Sequence, residues 1–198
     1  MISMAMLHDA QRVLKPVINR TPVIQTKGIV PGCDFYLKAD CLQKTGAFKL
    51  RGAYYKIATL SDEEKERGVI ACSAGNHAQG VAYAAQAAGV SATIVMPTTT
   101  PLVKVNNTKD YGAKVILHGE VFDEAAEMAT QLAKDEGLTY VPPFNDLDVA
   151  TGQGTIAYEI FQDLPDVDII LVPIGGGGLA SGVSTLAKLL VHYYDVTG

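Results

Sequence analysis

Three short stretches of this 198-residue chain carry residue types and spacings that could do chemistry. The first is Thr45-Gly46-Ala47-Phe48-Lys49-Leu50-Arg51-Gly52-Ala53, where Lys49 stands between two apolar residues at the start of a helical pattern. A lysine partly desolvated there, near Arg51, has a lowered pKa and becomes an amine nucleophile or base. The second is Ser73-Ala74-Gly75-Asn76-His77, a turn between an apolar run and the small-residue helix pattern HAQGVAYAAQAAG. Ser73 and the open backbone N–H groups of that turn suit a carboxylate, and Asn76 adds an amide for a phenolate-like oxygen. His77 has a competing reading as a capping or core histidine, and Asn76 one as a simple turn former.

The third stretch is Gly175-Gly176-Gly177-Gly178, between DVDIILVPI and a helix that opens LASGVSTLAKLL. Four glycines leave backbone N–H groups unobstructed and the following helix turns its positive end toward them, so the physics predicts a phosphate cradle. A flexible linker is the bland alternative, and a P-loop is excluded because no Gly-Lys-Ser/Thr ending follows. Gly175, Gly177 and Ala180 also satisfy the dinucleotide pattern G-x-G-x-x-A, with Asp195 as a ribose acid, which keeps a nicotinamide-binding alternative open. That fingerprint normally opens a βαβ unit with more sheet to follow. Gly152 and Gly154 in GQGTIA match the same pattern after a polar loop, where helix packing is the better explanation. An amine, a carboxylate site and a phosphate cradle on one strand-end face are jointly explained by an imine between Lys49 and a phosphorylated aldehyde.

These loops need elements to hold them. Asp34–Ala39, Gly68–Cys72, Ala92–Met96, Lys114–Leu117 and Asp168–Ile174 are β-branched or aromatic runs suited to strands, most of them to strands buried on both faces. Helical patterns lie between them at Phe48–Leu60, His77–Ala88, Pro101–Tyr111, Phe122–Glu136, Val149–Leu164 and Leu179–Tyr193. Gly89, Gly112 and Gly137 stand just past three of the helix C-termini. The near-strict alternation predicts an α/β fold, with parallel strands, right-handed crossovers and helices on both sheet faces. Val141–Asp148 (VPPFNDLD) and the start of Phe48–Leu60 interrupt it and read as crossings between two lobes. The apolar run Asp168–Ile174 needs neighbours on both sides, so without a partner its sheet is unfinished.

Composition narrows the partners. With 48% hydrophobic and 19% charged residues the chain is globular. Sixteen basic against 21 acidic residues, scattered and net −5, leave no footprint for nucleic acid, so a small molecule is the expected partner. Cys33, Cys41 and Cys72 lie far apart without metal-ligand spacing, which favours a reducing compartment. The charged N-terminus and the lack of any long apolar stretch predict neither signal peptide nor membrane span, hence a cytoplasmic protein.

TGAFKLRGA, SAGNHAQG and GGGGLASG, in that order, resemble the fold-type II pyridoxal-phosphate enzymes, most closely the threonine ammonia-lyases (threonine dehydratases). PPFND, GQGTIAYEI and VMPTTTPLVK extend the likeness along the whole chain. The resemblance implies an α/β architecture of two lobes, each with a mostly parallel sheet flanked by helices. Residues 1–50 and 149–198 would form a large lobe, incomplete here because the family's catalytic region continues beyond Gly198, and residues 51–148 a small one. It implies pyridoxal 5′-phosphate as cofactor, with Lys49 as the Schiff-base lysine, Phe48 packed on the ring, Asn76 on the 3′-oxygen, and Gly175, Gly176, Gly177, Gly178 and Leu179 on the phosphate. Ser73, Ala74, Gly75, Asn76 and His77 would take the substrate carboxylate. The implied reaction is β-elimination from L-threonine, and from L-serine, to a 2-oxo acid and ammonia, in threonine catabolism or isoleucine biosynthesis, by a homo-oligomer. Ala47 replaces the family's commoner serine. Ala74 stands where the similar serine racemases carry an acid/base serine, which favours elimination over racemisation.

Overall fold

The computed structural model describes the backbone of residues 1–197 and the side chains of residues 1–192; Gly198 and the side chain of Asp195, the acid considered for a ribose, lie outside the described residues. The chain opens with α1 (Met4–Leu14), capped by the Ser3 hydroxyl accepting from the Met6 N–H at 3.3 Å and burying Leu7, Ala10 and Leu14 at helical spacing. A hairpin follows, β1 (Val23–Thr26) and β2 (Phe35–Lys38). Then come α2 (Lys49–Ala58), α3 (Asp62–Arg67), β3 (Val69–Cys72), α4 (Asn76–Ala88), β4 (Ala92–Met96) and α5 (Leu102–Asp110). β5 (Lys114–Leu117), α6 (Phe122–Glu136), β6 (Thr139–Tyr140), α7 (Leu147–Asp163) and α8 (Gly178–Thr197) complete the described residues.

Four strands form one parallel sheet in the order β5-β4-β3-β6. Because side chains alternate along a strand, Val69 and Ala71 of β3 face one layer and Ile70 and Cys72 the other. The first pair packs with Ala78, Val81 and Ala85 of α4 and with Leu50 and Ile57 of α2; the second packs with Ala125 and Ala129 of α6. Helices therefore cover both faces, as the alternation predicts. Gly89 and Gly137 close α4 and α6 with φ of 69° and 67°, conformations that cost an L-residue energy.

A second apolar cluster, Leu7 with Ile156, Ile160, Val183, Leu186 and Leu190, joins α1, α7 and α8. α7 meets α2 and α8 through glycines: a Cβ on Gly152 would lie 2.6 Å from the Arg51 carbonyl oxygen, and one on Gly154 2.8 Å from that of Gly182. The GQGTIA motif is a packing motif here, mid-helix in α7.

Two expectations are corrected. Phe35–Lys38 does not join a parallel sheet; it pairs antiparallel with Val23–Thr26, Leu37 opposite Ile24, and is half exposed. Asp168–Ile174 is not a strand. Ile170 and Val172 pack on the α7–α8 cluster, but Ile169, Leu171 and Ile174 are 76%, 77% and 77% exposed and, among the described residues, no strand pairs with the run. Of the two parallel sheets expected, the described residues form one.

Candidate functional site

Lys49 opens α2. The loop before it is pinned by buried Gln43, whose side-chain oxygen accepts from the Asn19 N–H at 2.8 Å and the Lys44 N–H at 3.1 Å. Gly46 turns the chain with φ 71°. The Lys49 Nζ donates to the Pro143 carbonyl oxygen at 2.6 Å and sits 5.4 Å from the Phe48 ring centroid. Both residues are half-buried, and burial lowers the Lys49 pKa.

Arg51 is not the cause of that lowering. Fully buried, it points away into a cluster of its own: Nε and Nη2 donate to Asp40 at 2.8 and 2.9 Å, Nη1 and Nη2 to Glu159 at 2.6 and 3.0 Å. Lys38 pairs with Glu159 at 2.6 Å. Two cations and two carboxylates, nearly dry, thus fasten the end of β2, α2 and α7 together, and the carboxylates hold Arg51 protonated. Partners 11 and 108 residues away left this cluster without a local signal in the sequence.

The Ser73–His77 turn is brought to Lys49 by Gly80 of α4. A Cβ there would stand 3.2 Å from the Lys49 carbonyl carbon and the Leu50 nitrogen, so only glycine lets α4 lie this close. At the turn the Gly75 N–H donates to the Ser73 hydroxyl at 3.2 Å, while the Ser73 N–H remains tied to Val95 of the sheet. No side chain caps α4, and its first bond to the preceding turn is from Gln79 to the Gly75 carbonyl, so the N–H groups of Asn76, His77 and Ala78 have no helix partner. Asn76 is exposed beside them, and Ser73, Ala74 and Gly75 are half-buried.

His77 turns inward. Its ring is buried and its Nε2 lies 2.9 Å from the Val141 carbonyl oxygen. Burial pushes its pKa down to about 4, against the pull of that carbonyl and with help from the nearby Lys49 charge. The core reading of this histidine holds for its side chain; what it offers the turn is its backbone N–H.

The glycine run reaches the same place through one ring. A Cβ on Gly176 would run into the Phe144 ring, and one on Gly178 would stand 2.8 Å from the Phe144 Cα. Gly177 has φ 88° and Gly175 has open space around it, so the loop turns by its own conformation at one glycine and leaves backbone uncovered at the other. Gly178 begins α8, the Ser181 N–H closes back onto the Gly177 carbonyl at 2.8 Å, and Leu179 packs in one apolar cluster with Phe48. The three stretches therefore meet around Val141–Phe144. Sequence reading marks that segment as a crossing and as part of the family likeness; its two prolines and Phe144 are the signal that could have been read as a support.

Residues 14–196 match the family model of pyridoxal-phosphate dependent enzymes. Over its whole length the chain is 55% identical to an L-threonine ammonia-lyase of Thermotoga maritima, covering 50% of that protein. Over 94% of its length it is 49% identical to a catabolic L-threonine dehydratase of Staphylococcus aureus, covering 55% of it. The chain thus spans about half the length of the curated relatives it matches. Among solved structures, a threonine deaminase isoform of Solanum lycopersicum superposes with a TM-score of 0.89 at 44% identity, over 93% of this chain and 52% of that one. Maize serine racemase gives 0.91 at 37% identity, over 95% and 58%. Among the described residues no helix is long and apolar enough to cross a membrane.

Proposed function

Since this chain belongs to the pyridoxal-phosphate dependent enzymes, of the fold-type II architecture, we propose that it serves the dehydration and deamination of L-threonine, and of L-serine, to a 2-oxo acid and ammonia. One observation carries the reading: Lys49 stands half-buried beside Phe48 with a lowered pKa, where a helix start with no side-chain cap and a glycine run converge. The residues fit the cofactor. Lys49 would hold its aldehyde carbon, Phe48 would pack on its ring, and the Asn76 amide would bond the 3′-oxygen. The N–H groups of Gly175, Gly176, Gly177, Gly178 and Leu179 would hold its phosphate at the start of α8. Pyridoxal phosphate, when bound, supplies a carbonyl for the substrate amine and a ring that takes up the electrons of the broken Cα–H bond.

The chain's own residues do the rest. The Ser73–His77 turn, Ala74 included, holds the substrate carboxylate on hydroxyl and N–H donors at the positive end of α4. Lys49, displaced by the substrate, is a free amine whose lowered pKa raises its neutral fraction, and it takes the Cα proton. Loss of the β-hydroxyl as water leaves a released enamine, whose imine tautomer takes up water at Cα and expels ammonia, giving 2-oxobutanoate from threonine or pyruvate from serine. Ala74 offers no hydroxyl on the opposite face, which supports elimination over the racemisation performed by the maize protein.

We also infer a large lobe of residues 1–50 and 149–198 and a small lobe of 51–148, a cytoplasmic homo-oligomer, and a place in threonine catabolism or isoleucine biosynthesis, with neither nucleic acid nor membrane as partner. The α1–α7–α8 cluster and the separate four-stranded sheet support the division into lobes. Borohydride reduction in the presence of pyridoxal phosphate, followed by peptide mapping, tests the site: the cofactor's mass belongs on the Lys49 peptide. Its recovery on another lysine, or no labelling at all, would sink the assignment. A coupled assay for 2-oxobutanoate against D-allothreonine, the product of inversion at Cα alone, then separates lyase from racemase.

A further inference from the structure

We propose that His77 is a positioning residue for Lys49, acting through a stiff lever, Val141-Pro142-Pro143, whose last carbonyl receives the Lys49 amine. The inference rests on Lys49 being the cofactor-bearing lysine. A carbonyl oxygen can only accept, so the 2.9 Å contact between His77 and Val141 requires the hydrogen to be on Nε2. His77 is then a neutral donor with a bare, buried Nδ1, which has no partner among the described residues. Val141 is fixed on its other side by its own N–H, which donates to the Ile70 carbonyl at 2.8 Å.

The two prolines after Val141 transmit that anchor. Proline locks its own φ and restricts the residue before it to extended conformations, so Val141 and Pro142 are both restricted and Pro142 and Pro143 both have fixed φ. A carbonyl held at Val141 therefore sets where Pro143 lies, which brings its carbonyl within reach of the Lys49 Nζ, from which it accepts at 2.6 Å. The next residue, Phe144, supports Gly176 and Gly178. Far along the strap, Asp146 caps α7 through its bonds to the Asp148 and Val149 N–H groups and pairs with Lys56 of α2 at 2.8 Å. The strap is tied at both ends, and the Lys49 amine bonds to its middle.

The test compares two isosteres. In glutamine the amide nitrogen can reach the place of Nε2, whereas in asparagine it mimics Nδ1 and falls short. Trace acetylation of Lys49 in the cofactor-free chain, followed by mass spectrometry across pH, reads the amine's protonation midpoint without any turnover. Losing the carbonyl acceptor while staying buried disfavours the ammonium form. His77→Asn should move the midpoint down by about one pH unit, a roughly ten-fold change in the protonation equilibrium, and His77→Gln should leave it in place. An unchanged midpoint in His77→Asn, or a rise in it to that of an ordinary exposed lysine, would overturn the proposal. Should His77→Asn fail to fold, nitrogen–proton correlation spectra of the wild-type chain decide: the Nε2–H tautomer at neutral pH supports the lever, and the Nδ1–H tautomer or an imidazolium overturns it. None of these readouts involves bound cofactor, so they fail separately from the borohydride mapping.

Discussion

The strand β3 and the run Asp168–Ile174 carry the same signal, a short apolar β-branched stretch ending in a small-residue turn before a helix. In the folded chain they share almost nothing. β3 has a parallel neighbour on each side and is buried throughout, and its turn is anchored to the sheet by the Ser73 N–H on Val95. Among the described residues the run has no paired strand; it exposes Ile169, Leu171 and Ile174, and its glycine turn rests on the Phe144 ring. Apolar patterning sets which residues prefer to be extended, but only hydrogen-bonding partners make a strand of them. One side of the site is thus built into a sheet, the other leans on a side chain.

The two sides are joined at the Arg51 cluster, so breaking it should have the largest effect. Arg51→Ala leaves Glu159 with only Lys38 and Asp40 with only the Thr21 hydroxyl, and should cost about 3–5 kcal/mol of unfolding free energy. Urea denaturation checks it. A loss under about 1 kcal/mol would mean that β2, α2 and α7 are held together by apolar packing alone.

The next effect tests the sheet-anchored side through pH. His77 has a folded pKa of about 4, below its ordinary 6.5, so between these values the unfolded chain binds more protons than the folded one. Stability therefore rises with pH across the window: the His77 contribution is full above about 6.5 and is lost as pH falls to 4, roughly 3 kcal/mol in all. Urea midpoints at about pH 7 and pH 4.5 should diverge in the wild type, and the divergence should shrink in His77→Gln. Equal slopes in both would show that carboxylates elsewhere carry the acid sensitivity.

How much of this was legible beforehand follows the same division. The α4, α5 and α6 ends were readable from Gly89, Gly112 and Gly137 because left-handed closure is a local requirement. The three candidate stretches stood out because small residues leave backbone bare wherever they fold. The role of Arg51 was misread, since proximity in sequence to Lys49 says nothing of the helix face it occupies. The hairpin was misassigned because β2 pairs with Val23–Thr26, a strand with no alternation to announce it. The support of the site by Pro143 and Phe144 was missed for a plainer reason: the prolines and Phe144 stand out locally, but the Lys49 contact spans 94 residues.

On the side-chain-supported half the expected effects are smaller. Gly177 adopts φ 88° with no atom within 4 Å of a would-be Cβ, so Gly177→Ala meets strain without a clash and should cost about 1 kcal/mol. If the loop is the phosphate cradle, the same substitution should weaken pyridoxal phosphate binding several-fold by tilting N–H groups away from their target. Titration of the cofactor by fluorescence, alongside the same measurement on Gly89→Ala at the far end of α4, separates a lost cradle from a general loss of stability.

The smallest effect on folding should come from the run itself. Leu171 is 77% exposed, so its removal takes little apolar surface out of a packed environment; Leu171→Ala should change unfolding free energy by no more than about 0.5 kcal/mol. The equivalent truncation of a fully buried β4 residue, Ile94→Ala, belongs to the class that costs about 2–5 kcal/mol. Association should show the opposite ranking. Ile169, Leu171 and Ile174 lie on an extended stretch whose backbone has no ladder partner, the combination that recruits another chain. Leu171→Ala with Ile169→Ser should therefore shift sedimentation toward smaller species with the unfolding midpoint unmoved. A large loss of stability from these exposed positions would mean that the run is already paired in solution, and that the contrast with β3 is one of partner rather than of packing.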